Sequence, residues 1–172
     1  KGLNSIIQNA GAFLGMIAFS YLAQWTGRKP AFVVSFIGAL LATNMYFIMF
    51  KGVDQLWMSG VMGFFQLALF AGFAIYLPEL FPTRLRSTGT SFCYNVGRFL
   101  AATGPFTLGV LQKNLGDAAI AKLPESADAA AKAAAKLGAF REATSWVSLV
   151  FILGLFVVFF LPETKGKPLP ED

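Results

Sequence analysis

Long apolar runs separated by polar segments are the dominant pattern of this 172-residue chain. A transmembrane α-helix needs about 20 mostly apolar residues. Five runs reach this length or come close to it, at residues 3–23, 31–50, 56–77, 88–111 and 144–161. These runs lack the strict two-residue alternation of a membrane barrel, and an open sheet would leave backbone groups unpaired in lipid. The pattern therefore predicts an all-α membrane protein, a helical bundle of five transmembrane helices.

Short polar connections join the first four runs at residues 24–30, 51–55 and 78–87. Such short links make consecutive helices antiparallel neighbours. The connection at residues 112–143 is different, because it is long, polar and rich in Ala and Lys. Lys132 and Lys136 stand four residues apart, so a helix would place both like charges on one face. We expect a solvated, mobile helix or a disordered loop here, and a tail at residues 162–172.

Composition supports the membrane assignment and excludes several functions. The chain is 56% hydrophobic and 13% charged with a mean hydropathy of +0.61, whereas a soluble domain carries about twice that charged fraction. The net charge of +5 then indicates loops at an anionic lipid surface rather than nucleic-acid binding. There is no histidine, and the single cysteine, Cys93, lies in an apolar run. The sequence contains no nucleophile–base pair, metal cluster or phosphate loop, so we expect no enzyme, cofactor or metal site.

The orientation in the membrane follows from Lys and Arg in the loops. One side would carry Arg28, Lys29, Arg84, Arg86, Lys165 and Lys167. The other would carry Lys51, Lys113, Lys122, Lys132, Lys136 and Arg141. The second group lies mostly in the long connection, and long segments translocate with less regard to charge. We therefore expect the connection at residues 112–143 outside, and the tail in the cytoplasm of a bacterial inner (plasma) membrane.

Small and polar residues suggest how the helices face one another. Gly11-x-x-x-Gly15 would let another backbone approach closely, and we expect this stripe to face another domain or a cavity. The runs at residues 31–50 and 144–161 carry few polar groups near their centres, so we expect both to be peripheral and exposed to lipid. Pro105 is expected to kink the run at residues 88–111.

Arg98 lies near the middle of the run at residues 88–111, and none of the five runs contains Asp or Glu. A cation at this depth costs about 2.5–3.5 kcal/mol on insertion scales, so it is expected to face a cavity and bind an anion. The alternative is that Arg98 joins helices by donating to backbone carbonyls. Other side chains that helical phase could bring to the same cavity are Asn95, Gln66 and Tyr94 as hydrogen-bonding groups, and Phe70 or Phe73 as apolar walls.

Three short motifs lie outside the runs. They are Gly27-Arg28-Lys29, Pro78-Glu79-Leu80-Phe81-Pro82-Thr83-Arg84-Leu85-Arg86 and Pro162-Glu163-Thr164-Lys165-Gly166. With these motifs the whole chain resembles the C-terminal half of a major facilitator superfamily transporter. The resemblance implies a twelve-helix fold and a conformational switch made of Gly27, Arg28, Lys29, Glu79, Arg84, Arg86, Glu163 and Lys165. The alternative is that these charges only set topology.

The first motif departs from the family pattern, because Gln24 and Trp25 replace its acid and its first base. Any switch at that point is therefore expected to be weaker or differently connected. The run at residues 56–77 also lacks the G-P-x-x-W stretch of sugar porters. An Arg seven residues before a Pro, as in Arg98 and Pro105, is similar to organic anion carriers.

The resemblance implies secondary active transport of a small organic anion, a carboxylate or an acidic sugar, by alternating access. The alternatives are a neutral sugar/proton symporter and a non-transporting membrane sensor of the same fold. The expected partners are the small-molecule substrate, the lipid bilayer and a coupling proton or sodium ion. Because the five runs contain no Asp, Glu or His, a proton-carrying group at membrane depth is expected outside them.

Overall fold

The computed structural model describes residues 2–124 and 126–171. Lys1, Glu125 and Asp172, which the predicted domain, long connection and tail include, lie outside the described residues. The α-helices of the described chain are α1 (Gly2–Thr26), α2 (Arg28–Met49), α3 (Trp57–Leu80), α4 (Arg86–Ala101), α5 (Thr103–Ala121), α6 (Ala129–Ser148) and α7 (Val150–Phe160), with a 3₁₀ turn at Val53–Gln55. No β-strand occurs over these residues, which confirms the all-α prediction.

Four helical segments of the described chain are long and apolar enough to cross a membrane. They are Gly2–Thr26, Arg28–Met49, Val53–Leu80 and Ala129–Phe160. The protein is therefore an integral, multi-pass membrane protein. The predicted run at residues 88–111 is divided between α4 and α5, which meet at Ala102. Pro105 accounts for this break, because it has no N–H to donate to the carbonyl four residues earlier.

The polar connection at residues 112–143 is helical over most of its length, which agrees with the first of the two expected alternatives and not with a disordered loop. α5 continues to Ala121, and α6 begins at Ala129 after a short turn. Alanine has the highest helix propensity, and the Asp128 side chain accepts the Ala131 N–H at 2.7 Å as an N-cap. α5 packs against α6, with Gly116 buried beside Ala139.

The closest helix pair is α1 with α3, where small residues let the backbones touch. A Cβ on Gly11 or Gly15 would overlap the carbonyl group of Gly60 or Phe64. A Cβ on Gly63 would meet the Gln8 carbonyl in the same way. The close approach predicted for the glycine stripe is therefore correct, but its partner is α3 of the same chain rather than another domain or a cavity.

α2 buries one face in the bundle, while Val34, Ile37 and Leu41 on its other face are 49%, 43% and 64% exposed, so its contact with lipid stays a prediction. It packs against α1, α3, α6 and α7. The Phe32 ring is 2% exposed and lies 5.2 Å from the Phe19 ring, 5.3 Å from the Phe73 ring and 5.7 Å from the Tyr76 ring, measured between centroids. Aromatic rings and small residues fill this core, and α2 also buries the small polar residues Ser35 and Thr43, so a low polar content near the centre of a run did not exclude a buried face.

Candidate functional site

A cleft of about 320 Å³ lies between α3 and α4 and contains Arg98. It is lined by Phe70, Phe73 and Leu77 of α3 and by Cys93, Tyr94, Gly97, Arg98 and Ala101 of α4. We call it the Arg98 cleft. Its α4 residues recur every three or four positions, which places them on one face of the helix. The cleft is mostly apolar with few polar groups, as ligand sites commonly are.

Tyr94 fixes the position of α4 against α3. Its hydroxyl donates to the Phe70 carbonyl at 3.3 Å. Arg98 follows one turn later and is exposed, and within the described part of the chain its guanidinium makes no hydrogen bond or ion pair. As a link between helices Arg98 would need a hydrogen-bond acceptor on another helix, and its guanidinium has none among the described residues. The cation is available to a ligand in the cleft.

Two of the predicted substrate-binding residues lie away from this cleft. Asn95 is exposed beside it, and its side-chain amide donates to the Ser91 carbonyl of its own helix at 2.9 Å. The Gln66 amide donates to the Thr43 hydroxyl of α2 at 3.0 Å and lines a separate apolar cleft of about 520 Å³. The structure thus brings Arg98 and Tyr94 together with the predicted Phe70 and Phe73 walls. Gln66 meets Phe70 and Phe73 only in the neighbouring 520 Å³ cleft, and Asn95 lines neither cleft.

A second group of polar residues lies where α1 ends, α2 begins and α3 ends. We call Arg28, Glu79, Glu163 and Thr164 the charge cluster. The Arg28 guanidinium donates from Nε and Nη2 to the two carboxylate oxygens of Glu79, with an Nε–Oε2 distance of 3.0 Å. Both side chains are 17% exposed. Thr164 adds a hydroxyl donor to Glu79 at 2.6 Å. Charge-assisted bonds in this bidentate geometry are stronger than neutral ones.

Glu163 binds backbone amides rather than a side-chain cation. Its carboxylate accepts the N–H groups of Arg28 and Lys29, each at 2.9 Å, which are unpaired donors at the start of α2. It also accepts the N–H groups of Thr164 and Lys165, each at 3.0 Å. Burial alone would raise the pKa of Glu163, but these four backbone donors outweigh it and lower the pKa below its ordinary value.

Gly27 makes this cap sterically feasible. Its φ is 110°, a left-handed conformation that residues with a Cβ rarely adopt. A Cβ there would also lie 2.8 Å from Oε2 of Glu163. The glycine of the first motif is therefore required both by the backbone turn between α1 and α2 and by the carboxylate that approaches it.

The other residues of the predicted switch surround this cluster or lie near it. The Lys29 ammonium donates to the Phe159 carbonyl at 3.0 Å, and the Lys165 ammonium donates to the Trp25 carbonyl at 2.6 Å. Arg86 donates to the Pro78 carbonyl at 3.0 Å, which links the start of α4 to α3. Arg84 is exposed in the connection between them. The first motif supplies no acid of its own to this cluster, and its Arg28 contacts Glu79 and Glu163 of the other two motifs.

Sequence reasoning missed two residues of this region. Thr164 belongs to a motif that was examined for its charges, so its neutral hydroxyl was not considered. The Tyr76 hydroxyl donates to the Pro162 carbonyl at 2.7 Å and joins α3 to the tail. Its position three residues before Glu79, on the same face of α3, could have identified it. No group of three or more His, Cys, Asp or Glu side chains suited to a metal ion occurs among the described residues.

Comparison with known proteins gives a consistent result. A family model described as "Sugar (and other) transporter" matches residues 3–171. A Haemophilus influenzae protein whose name describes metabolite transport is 23% identical over 98% of this chain and 36% of its own length. A probable 4-methylmuconolactone transporter of Cupriavidus pinatubonensis is 27% identical over 91% of this chain and 32% of its own length. The cis,cis-muconate transport protein of Acinetobacter baylyi is 31% identical over 57% of this chain and 24% of its own length.

The chain spans 36% and 32% of the lengths of the first two of these relatives. No solved structure matches it at the same level of significance.

Proposed function

The chain belongs to the sugar (and other) transporter family, and on this premise we propose that it forms part of a secondary active transporter for a small organic anion. Its motifs resemble the C-terminal half of a major facilitator transporter. In our proposal this half and a second one rock about a substrate site between them, near the middle of the membrane. The chain would supply one wall of that site and one part of the switch.

The observation that carries the proposal is the Arg98 cleft. Arg98 lines a largely apolar cavity, and its guanidinium is unpaired within the described part of the chain. Arginine binds a carboxylate through two parallel hydrogen bonds, and the surrounding apolar walls make such a pair stronger than it would be in water. Two relatives have names that refer to muconate and 4-methylmuconolactone transport, and muconate is by its name a carboxylate.

The charge cluster supports the transport mechanism in this proposal. Arg28, Glu79 and Glu163 join helix ends and tail through hydrogen bonds that break if those segments separate. Partly buried pairs of this kind bias a bistable bundle by about a few kcal/mol. We propose that the cluster stabilises one state of the transport cycle.

The test is binding of radiolabelled anions to the purified protein, with cis,cis-muconate and benzoate as probes and glucose as a neutral comparison. Arg98→Ala should weaken binding of the anions about 30- to several-thousand-fold, because removing one partner of a buried charge pair costs about 2–5 kcal/mol. Arg98→Lys should restore part of it, since an ammonium keeps the charge but loses the two-point geometry.

The matched control is Lys132→Ala, which removes a cation at an exposed position on α6. It should leave binding of the anions unchanged. If Arg98→Ala retains wild-type anion binding, or if glucose binds while neither anion does, the organic-anion proposal is wrong. The second result would favour a neutral-sugar carrier. An Arg98→Ala protein that fails to fold would instead support the helix-linking role. Anion binding would then be measured on Arg98→Lys, and wild-type binding by a folded Arg98→Lys protein would contradict the two-point contact.

A further inference from the structure

The Arg98 cleft differs in chemistry from a site for a hydroxyl-rich molecule. Among the described residues that line it, Arg98 carries the one formal charge. Its other polar side chains are the Tyr94 hydroxyl, which already donates its proton to the Phe70 carbonyl, and the weakly polar Cys93 thiol. The remaining wall is carbon, much of it from the aromatic rings of Phe70, Phe73 and Tyr94.

These rings favour a flat, unsaturated ligand body. Aromatic pairs in offset or edge-to-face contact gain about 0.5–1.5 kcal/mol beyond area burial, or about two- to tenfold in affinity. A sugar acid would instead bring several hydroxyl groups against carbon. Each hydroxyl that loses water without a new partner weakens binding. Carboxylates that all bind Arg98 would therefore differ strongly in affinity, according to the carbon body that each one places against the aromatic walls.

Resting on the proposed function, we propose that the Arg98 cleft selects carboxylates with a planar, unsaturated or aromatic carbon body and rejects acidic sugars. Arg98 binds the carboxylate, and the three rings contact the face and edge of the carbon body. Of the two substrate classes predicted from the sequence, the acidic sugar is the one that the cleft disfavours.

Three anions test this selectivity, because each carries one carboxylate on a six-membered ring. Benzoate is aromatic, cyclohexanecarboxylate has the same number of carbons without the π system, and glucuronate is hydroxylated. Competition against radiolabelled benzoate on the purified protein should rank benzoate first, cyclohexanecarboxylate second and glucuronate last. The step from benzoate to cyclohexanecarboxylate should be about two- to tenfold.

Substitutions of individual rings test whether the cleft causes this ranking of anions. Phe70→Leu removes a ring that is 60% exposed, so it perturbs the core little. It should reduce the benzoate advantage over cyclohexanecarboxylate by about two- to tenfold without abolishing binding of either anion. The matched control, Phe92→Leu, alters an α4 ring that is 68% exposed and lies outside the cleft lining, and it should behave as the wild type.

The failures of this inference and of the proposed function are distinguishable. If glucuronate binds as tightly as benzoate and both depend on Arg98, the selectivity is wrong while the organic-anion function stands. An unchanged benzoate advantage in Phe70→Leu would also overturn the selectivity. If none of the three anions binds, or if Arg98→Ala binds all three normally, the proposed function fails and the selectivity fails with it.

Discussion

Arg28 and Glu79 join the start of α2 to the end of α3 by two hydrogen bonds between side chains 51 residues apart in sequence. The pair is only 17% exposed on each side. Glu79 also accepts the Thr164 hydroxyl, so three donors converge on one carboxylate. An exposed ion pair contributes little to stability, but a pair that is shielded, bidentate and tied to a third segment is expected to contribute measurably.

Neutralising Glu79 should therefore destabilise the protein. Glu79→Gln removes the charge and offers one oxygen instead of two, and we expect a loss of about 1.5–3 kcal/mol, typical of hydrogen bonds to charged groups. Thermal unfolding in detergent measures it as a lower Tm. Glu142→Gln, at an exposed position on α6, is the control and should leave the Tm unchanged. Equal Tm values for both variants would contradict a structural role for the pair.

Gly27 should be more sensitive to substitution than Gly166, although both have a positive φ. An alanine at a positive φ costs about 1–3 kcal/mol, and the combination of φ 110° and ψ 166° at Gly27 is one that essentially only glycine adopts. At Gly27 the new Cβ also meets the Glu163 carboxylate, whereas at Gly166 nothing lies within 4 Å. Gly27→Ala should thus lower the free energy of unfolding by more than Gly166→Ala, as measured by denaturation in detergent. If the two losses are equal, displacement of Glu163 contributes nothing.

The Glu163 cap should make stability depend on acidic pH. Because the folded pKa lies below the ordinary value of 4.5, the contribution is complete above pH 4.5 and is lost as the pH falls through the folded pKa. Wild-type Tm should therefore approach that of Glu163→Gln as the medium is acidified below pH 4.5, while a clear difference remains at neutral pH. Glu171→Gln in the tail should follow the wild type at every pH. A difference between wild type and Glu163→Gln that does not change with pH would refute the cap.

The seam between α1 and α3 should not tolerate a methyl group. Gly15→Ala would force the Phe64 carbonyl away and separate the two helices, so we expect a lower Tm despite the better helix propensity of alanine. Gly138→Ala on α6 has nothing within 4 Å of the new Cβ and should be neutral or slightly stabilising. Thermal unfolding of the two variants compares them directly. A stabilising Gly15→Ala would show that the backbones do not touch there.

Labelling from outside the cell tests the predicted orientation. In a Cys93→Ala background, a membrane-impermeant thiol reagent should modify a cysteine placed at Ala130 in α6 but not one placed at Leu169 in the tail. Both positions are exposed, so access is decided by the side of the membrane. Labelling after membrane permeabilisation is the control and should modify both. The reverse pattern in intact cells would overturn the short-loop charge argument.

Apolar patterning predicted the helical bundle, and the family match confirms the resemblance that rested on three motifs. Over residues 112–143 it left a helix and a disordered loop as alternatives, because alanine has high helix propensity but little hydrophobic contrast. It did not predict the buried face of α2, where aromatic and small side chains pack together with the buried Ser35 and Thr43. The glycine stripe predicted a close contact, but a repeat of small residues carries no information on which helix is the partner.

The candidate site was predicted in part for similar reasons. Helical phase grouped Tyr94 with Arg98, which stand four residues apart, and both line the cleft. Asn95, which helical phase placed on one face with Arg98, instead bonds within its own helix and does not line the cleft. Gln66 is long enough to reach Thr43 on α2. Glu163 was expected among side-chain charges, but its partners are backbone amides, and these are present at the start of any helix whatever its sequence.

Glu163 reaches the amides of Arg28 and Lys29 across 135 and 134 residues of chain. During synthesis the ribosome therefore makes the start of α2 long before it makes the carboxylate that caps it. Until then these amides must be satisfied by water at the membrane surface, because lipid offers them no acceptor. Biogenesis of this end of the bundle is consequently completed only after the intervening helices have been made. A nascent chain arrested before residue 163 would carry an inserted α2 whose first amides are still hydrated and not yet capped.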